Sequence, residues 1–531
     1  MKKTSISRSI IYFLAVSCFL CSCSDPPIDT RSVIPADALV YLETRDLGKA
    51  ISAITDNEKF RTAAKTAPNV SPLNGMKLSV AVTGFETKED PVDGEGSVLN
   101  FQPRFVAVLE TNAWNFQANS FAENKLGEFI NDTYGGDVEL MTSSKYDGKF
   151  YTWTAKDGRK AFALVQGSVV YFGNDVSAIE KCQAVKRGEA DPIAGNEKLD
   201  NADRLASGFV SREGMAQLSN IIGISLAMNA GEDTDIRSFV ARVLPEILRN
   251  SVDELTWEST KTENGISDRY AIDLNNEIVE AAKISFAKSG TAINNFAEFV
   301  PQNAASATRY DLSDPKVAWQ KIVETVRSRT DAISGNLIGL FASSVFEPYA
   351  IADPEKFLGS ISGRIMTVKL NAEDENTVVI AEMKNVDEIK ASLIKDIFFT
   401  KPSEKRADAE IWRSDDGEFA AAFVGRIIIV GDAATVMKCL TAKESGENIT
   451  KLPLFDRLNS QTGTSVTTVR ETDPEAKLIE ALGGRKDPDA PLVTRSFTTT
   501  SFENNEIKRE TFSDFGLIGM IIEQFSKDNT Q

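Results

Sequence analysis

The stretch Trp153–Cys182, WTAKDGRKAFALVQGSVVYFGNDVSAIEKC, returns later in the chain as Trp412–Cys439, WRSDDGEFAAAFVGRIIIVGDAATVMKC. Only Gln166 and Asn174 lack counterparts in the second copy. Both copies keep the Trp, an Asp-Gly dipeptide, Gly167 or Gly425, Gly173 or Gly431, Asp175 or Asp432, and a closing Lys-Cys. A repeat of such long period sets the architecture and has to be read before any motif.

Asp157-Gly158 and Asp416-Gly417 stand between apolar alternations, a strong short-range signal for a hairpin. Ala161–Val165 then runs into Gly167, and Val169–Phe172 runs out of it. The second copy matches with Ala420–Val424, Gly425 and Ile427–Val430. Short β-branched and aromatic runs of this kind predict neighbouring strands of a mostly antiparallel sheet. Gly173 and Gly431 end the last strand, and Asp175 or Asp432 then caps a helix. Val176, Ile179 and Cys182, or Val436, Cys439 and Leu440, fall at helical spacing and face the sheet. The unit is a three-stranded meander followed by a helix.

Working outward, the motif sits in a longer duplication. Val33–Ala38 has its counterpart in Phe299–Ala304, and each opens a strand followed by an amphipathic helix. In the first copy that helix spans Leu47, Ala50, Ile51, Ile54 and Phe60; in the second it spans 315–346. Met76–Phe85 and Phe105–Glu110 predict strands joined by an acidic, Gly-rich loop, matched by Gly359–Leu370 and Val378–Met383. Helices follow over Trp114–Ile130 and 386–398, ahead of the repeated meander. Leu255–Leu274 pairs with Val493–Ser513 as a closing hairpin. The expectation is an α+β protein of two homologous tandem modules, each a mostly antiparallel sheet packed with helices. Module 1 covers 33–285, a connecting helix 286–298, and module 2 covers 299–527.

At 531 residues the chain is too long for a single core. Before the first module, Lys2, Lys3 and Arg8 precede the apolar run Ile10–Leu20. That run is too short to cross a bilayer and reads as an export signal over residues 1–22. It ends Leu20-Cys21-Ser22-Cys23, which resembles the bacterial lipobox and makes Cys23 the expected lipid acceptor. Residues 23–32 form a polar tether, and Ser24 behind the acceptor favours the outer membrane.

The formal charge is −18, and −21 once the three basic leader residues are gone. So negative a chain does not suit nucleic acid or anionic headgroups. There is no histidine, which removes Ser-His-Asp and Cys-His sites, His-ligated zinc and a histidine base.

The layout resembles a bacterial envelope lipoprotein family known only by a domain-of-unknown-function label. The residues that carry the resemblance are Ile34-Pro35-Ala36-Asp37, and Ser97-Val98-Leu99-Asn100-Phe101 ahead of Phe105-Val106-Ala107-Val108. Phe150–Gly173 with Ala178-Ile179-Glu180-Lys181-Cys182 completes the match, which covers nearly all of the exported chain. It implies export and an α+β fold, and it brings no catalytic residues with it.

The remaining candidates for chemistry are thin. Cys182 and Cys439 read as small core residues more readily than as a disulfide or thiol nucleophiles. Ser-x-x-Lys occurs at Ser285–Lys288, Ser313–Lys316 and Ser392–Lys395, without the partner motifs of a penicillin-binding enzyme. The acidic groups Glu89, Asp90, Asp93 and Glu95; Glu232, Asp233 and Asp235; and Glu373, Asp374 and Glu375 lack the fixed spacing of a calcium loop. Trp114 reads as a packing anchor more readily than as a sugar platform. The apolar segments 221–228, 337–346 and 515–525 read as buried helices more readily than as a lipid pocket. No catalytic, metal or cofactor residue is assigned.

These observations lead to an envelope lipoprotein that binds or scaffolds without catalysis. It is held to the membrane by its N-terminal lipid, meets an envelope protein partner and takes no cofactor or nucleic acid. The alternatives are a carrier of an apolar ligand and a carboxylate-based glycan hydrolase.

Overall fold

The computed structural model describes residues 27–66, 68–92, 96–195, 199, 203–229, 249, 251–285, 296–328, 345–371, 377–393, 404–452, 455, 465–472, 475–482, 484–487 and 493–523. The signal segment, Cys23 and most of the connecting helix 286–298 lie outside them. The chain gathers into two compact units, one of residues 1–52 and 69–209, the other of 53–68 and 210–531.

The first unit holds β1 (Val40–Thr44), β2 (Lys77–Val92), β3 (Gly96–Glu110), β4 (Glu139–Lys145), β5 (Gly148–Thr154), β6 (Lys160–Gln166), β7 (Val169–Gly173) and β8 (Ala206–Val210). Seven of them pair antiparallel in the order β1-β2-β3-β7-β6-β5-β4.

The second unit holds β9 (Val252–Thr262), β10 (Gly265–Leu274), β11 (Ser306–Asp311), β12 (Ile361–Lys369), β13 (Thr377–Met383), β14 (Glu404–Arg406), β15 (Ala409–Arg413), β16 (Phe419–Val424), β17 (Ile427–Asp432), β18 (Ser465–Thr472), β19 (Val493–Glu503) and β20 (Glu506–Ser513). They form one antiparallel sheet of 12 strands, ordered β9-β10-β20-β19-β18-β11-β12-β13-β17-β16-β15-β14.

Within it, β11-β12-β13-β17-β16-β15-β14 repeats the first unit's order strand for strand. The protein is α+β and built by duplication. The second unit also takes in β9–β10, the hairpin that closes the first repeat.

Each repeated meander carries its helix where the sequence placed it. The helix α1 (Val176–Lys186) is capped by Asp175, whose carboxylate accepts from the Ser177 amide at 2.7 Å. The helix α2 (Ala433–Ser445) is capped by Asp432, which accepts from the Thr435 amide at 2.7 Å. The repeated meander strands of both sheets are buried on two faces. One face of the first packs Phe150, Leu164 and Tyr171 with Ile179 and Cys182; the other packs Tyr151, Trp153, Ala163 and Val170 under the helical run Asn115–Thr133. The second repeat copies this layering, with Ile411, Ala422 and Ile429 against Val436 and Cys439, and Ala421, Phe423 and Val430 on the far side with Trp412. The two repeated Trp therefore occupy the same layer.

Several expectations shift in detail. Matching Ala161–Val165 to Ala420–Val424 residue for residue sets Ala161 and Ala420 on the same face, whereas the structure puts them on opposite faces. In the structure Trp153 pairs with Ala161, and Trp412 pairs with Ala421. The second hairpin has one more loop residue, because Ser414 bonds to Phe419 where Ala155 bonds to Arg159. A slip of one residue turns every side chain over, so the longer loop preserves the buried set. The expected acidic loop after Phe85 is mostly strand, since β2 and β3 stay paired out to Val92 and Gly96. The first amphipathic helix is two helices, Leu47–Thr55 and Glu58–Ala63, with Asn57 capping the second. Part of the expected tether is folded: Thr30–Val33 is a 3-10 turn with Thr30 and Arg31 buried.

Gly173 ends its strand as expected and Gly431 stands one residue before the end of its own, and both also act at a close contact. Gly173 lies opposite Val106 on β3, and Gly431 opposite Val378 on β13. A Cβ at either position would run into a neighbouring carbonyl oxygen, that of Phe105 or Thr377. Gly431 also has φ +141°, which side chains rarely adopt.

A second consequence of duplication appears where β10 meets β20. Counting from the hairpin turns Glu263-Asn264 and Asn504-Asn505, Arg269 and Glu510 hold the same place in their repeats. They also face each other across the β10–β20 ladder, with Arg269 Nε 3.1 Å from Glu510 Oε1. Ile266 opposite Ser513 is mirrored by Ile272 opposite Ile507, so the join is two-fold about that ion pair. Identical residues at the axis would set like charges together; Arg against Glu removes that repulsion.

Gly173→Ala and Gly431→Ala should each lower stability by about 2 kcal/mol or more in urea unfolding, because neither backbone neighbour can yield. Gly158→Ala, at φ +86° with open space around it, should lose only about 1 kcal/mol.

Candidate functional site

The residues singled out by sequence fall into separate places. Cys182 and Cys439 are free, buried and equivalent, one under each repeat's sheet. Burial pushes both thiols up to about 12, so neither is a thiolate at neutral pH. The Ser285 and Ser392 hydroxyls donate to the carbonyls of Ala281 and Ile389, and Lys288 and Lys395 lie outside the described residues. Lys316 reaches Glu355 at 3.7 Å. Of the acidic groups, only the backbone of Glu89 and Asp90 is described, and it is on β2. Among the described residues no group of three or more His, Cys, Asp or Glu side chains is arranged to hold a metal ion.

Trp114 differs from expectation: it is 51% exposed, and Phe116, two residues on, is 70% exposed. The helix beginning at Asn115 buries Ala118 and Ala122 instead, so the aromatic pair at its start is left facing outward. Of the apolar segments read as buried helices, 337–344 and 524–525 fall outside the described residues. Residues 516–523 are a helix with Gly516 and Gly519 buried.

The densest polar cluster was not legible in the sequence. On β1, Tyr41 and Glu43 point to one side, and Ser79 sits opposite Glu43 on β2. The 3-10 turn at Thr30–Val33 brings Arg31 to the same place. Arg31 Nε donates to Glu43 Oε2 at 2.7 Å, and its second nitrogen donates to Oε1 and to the Leu199 carbonyl. Tyr41 donates to the same carboxylate at 3.0 Å and Ser207 at 3.1 Å. Ser79 lies 2.9 Å from the Tyr41 hydroxyl and 2.7 Å from that of Thr30. Burial, and then the charge of Glu43, raise the Tyr41 hydroxyl far above its ordinary range. Every strong donor here has an acceptor inside the protein, so the cluster fastens the N-terminal turn to the sheet. The one available signal was Arg31 beside Ile34-Pro35-Ala36-Asp37, and composition gives no hint that it is buried.

Nearby, buried Glu110 accepts from the Ile28 amide at 3.1 Å and the Asn112 amide at 2.9 Å. Lys77 Nζ reaches the Ile28 carbonyl at 3.3 Å. The chain is thus seated from Ile28 onward, beside the loop that leads to Trp114.

In the second unit, Asp268 on β10 accepts from Trp257 Nε1 at 3.1 Å, from the Ser259 hydroxyl and from the Leu517 amide at 2.7 Å. Burial raises its carboxyl, while the three donors oppose the shift. Arg309 and Asp311 form another buried pair at 3.0 Å on β11. Glu43, Asp268 and Asp311 thus each sit in a network of their own. The paired carboxylates that glycan hydrolysis needs are not formed from these three.

Glu43→Ala should lower stability by about 3–5 kcal/mol in urea unfolding, because it strands a buried guanidinium; adding Arg31→Met should recover much of the loss. Peptide mapping after maleimide treatment at neutral pH should find Cys182 and Cys439 unlabelled in the folded protein and labelled in guanidinium.

No family model and no curated protein matches this chain. Among solved structures, it is similar to TP0453 in its crystal form I, at 9% identity and TM-score 0.24, over 44% of this chain and 98% of that one. It is also similar to the substrate-free duplicated taurocyamine kinase from Schistosoma mansoni, at 9% identity and TM-score 0.15, over 95% of this chain and 84% of that one. At such scores neither likeness carries an argument about fold or function.

Proposed function

We propose that this chain is a lipid-anchored protein of the bacterial cell envelope that works by binding rather than by catalysis. The observation that carries the reading is the short distance between the lipobox and the folded body. Cys23 lies five residues before Ile28, whose amide is held by buried Glu110. Five residues span at most ~18 Å. A lipid on Cys23 therefore keeps the first unit against the membrane surface.

The exposed aromatics support the same reading. From Glu110 the chain passes Asn112, bonded to that same carboxylate, to Trp114 and Phe116. An indole with one wet edge suits the boundary between headgroups and acyl chains. The charge of −21 on the exported part disfavours anionic lipid, so this contact is apolar in character. Ser24 after the acceptor points to the outer membrane. A protein partner in the envelope accounts for the duplicated, helix-covered sheets better than a buried reaction centre does.

Metabolic labelling with an alkyne fatty acid tests the reading. The full chain should take up label and sediment with membranes, and Cys23→Ala should lose the label and appear in the soluble fraction. Label retained on Cys23→Ala, or absent from the unaltered chain, would overturn the proposal.

A further inference from the structure

The outermost strand of the first unit's sheet, β4, carries the sequence Glu139-Leu140-Met141-Thr142-Ser143-Ser144-Lys145. Its inner edge pairs with β5 from Glu139 opposite Thr154 to Lys145 opposite Gly148. No other strand among the described residues pairs with it, and all seven residues are exposed. Met141 is 62% exposed and Leu140 37%. An open edge of this kind offers a row of unpaired amides and carbonyls to another strand.

The duplication supplies an internal comparison. The counterpart of β4 in the second repeat is β14, Glu404-Lys405-Arg406. Its three described residues are each charged, and Glu404 is bridged to Arg413 at 3.3 Å. Charge is a usual way to protect a sheet edge. The same place in the fold thus carries charge in one repeat and is left open and uncharged along its middle in the other. Between Glu139 and Lys145 the open edge has neither a charge nor a proline.

We propose that β4 pairs antiparallel with β4 of a second copy of this chain. The sequence is complementary to itself in that arrangement. Centred on Thr142, the pairing sets Glu139 opposite Lys145 at both ends. It also sets Met141 opposite Ser143, and Leu140 opposite Ser144. Lys145, now over the Phe150 ring at 4.8 Å, is already held at the strand end where Glu139 of the second copy would arrive. A two-fold ladder about a central residue is the device that this chain already uses where β10 meets β20. One strand pair is a small interface and gives weak association in solution. Anchoring both copies in one membrane raises their effective concentration without any new contact. The pairing itself rests on β4 and not on the anchor, so concentrated soluble Cys23→Ala protein should show it too.

Cysteine cross-linking in the full-length protein tests the arrangement. Thr142→Cys should give a disulfide dimer on mild oxidation, since directly opposed strand residues lie within disulfide reach. Lys156→Cys, in an exposed turn outside the strand, serves as the collision control. In the Thr142→Cys background, Glu139→Lys should slow dimer formation about five- to ten-fold by facing Lys145, and adding Lys145→Glu should restore it. Thr142→Cys cross-linking no faster than the control overturns the proposal, as does indifference to the charge exchange. Cross-linking to a different envelope protein overturns self-pairing as well, by assigning the edge to that partner.

Discussion

The architecture depends on the approach of β7 to β3, and of β17 to β13, at a glycine. In each repeat the chain leaves β3 or β13, builds a helix and a meander, and returns to pair with that earlier strand. Gly173 and Gly431 sit where the returning strand meets the older backbone, and no side chain fits there. This contact converts a local meander into one end of a continuous sheet. It gives the sheet two covered faces, with α1 or α2 on one and further helices on the other. The apolar runs of β6, β7, β16 and β17 follow from it, since strands buried on both faces cannot alternate with polar residues.

Duplication then set two further problems, which the repeats solved differently. Where equivalent strands β10 and β20 meet, a two-fold join places equivalent residues opposite each other, and divergence to Arg269 and Glu510 made that meeting attractive. At the outer edge, the described residues of the second repeat's strand are all charged, while the first repeat's seven-residue strand is uncharged in the middle. Leu140 and Met141, exposed on that edge, suit the proposed pairing of two copies.

Polar groups inside the units are spent on fastening. Arg31 and Glu43 join the first folded turn to the sheet, Glu110 holds Ile28, and Asp268 ties the start of the last helix to β10. These contacts fasten the chain to the first unit from Ile28 onward. The apolar character left at Trp114 and Phe116 belongs to the same corner of the molecule.

Much of this was legible in the sequence because it is local or periodic. Turn dipeptides, helix caps at Asp175 and Asp432, strand runs and the duplication itself all leave a mark within a few residues. The sequence could not say that Ala161 answers to a residue of opposite pleat from Ala420, because one loop residue decides the face. Nor could it show that Arg31 is buried in a segment with the composition of a tether, or that Trp114 faces outward. Those outcomes depend on which distant strand lies alongside, and only tertiary pairing brings Ser79, Leu199 and Ser207 to one guanidinium–carboxylate pair. The sequence determined the unit and its repetition; the tertiary structure decided which edges, faces and charges of that unit remained open.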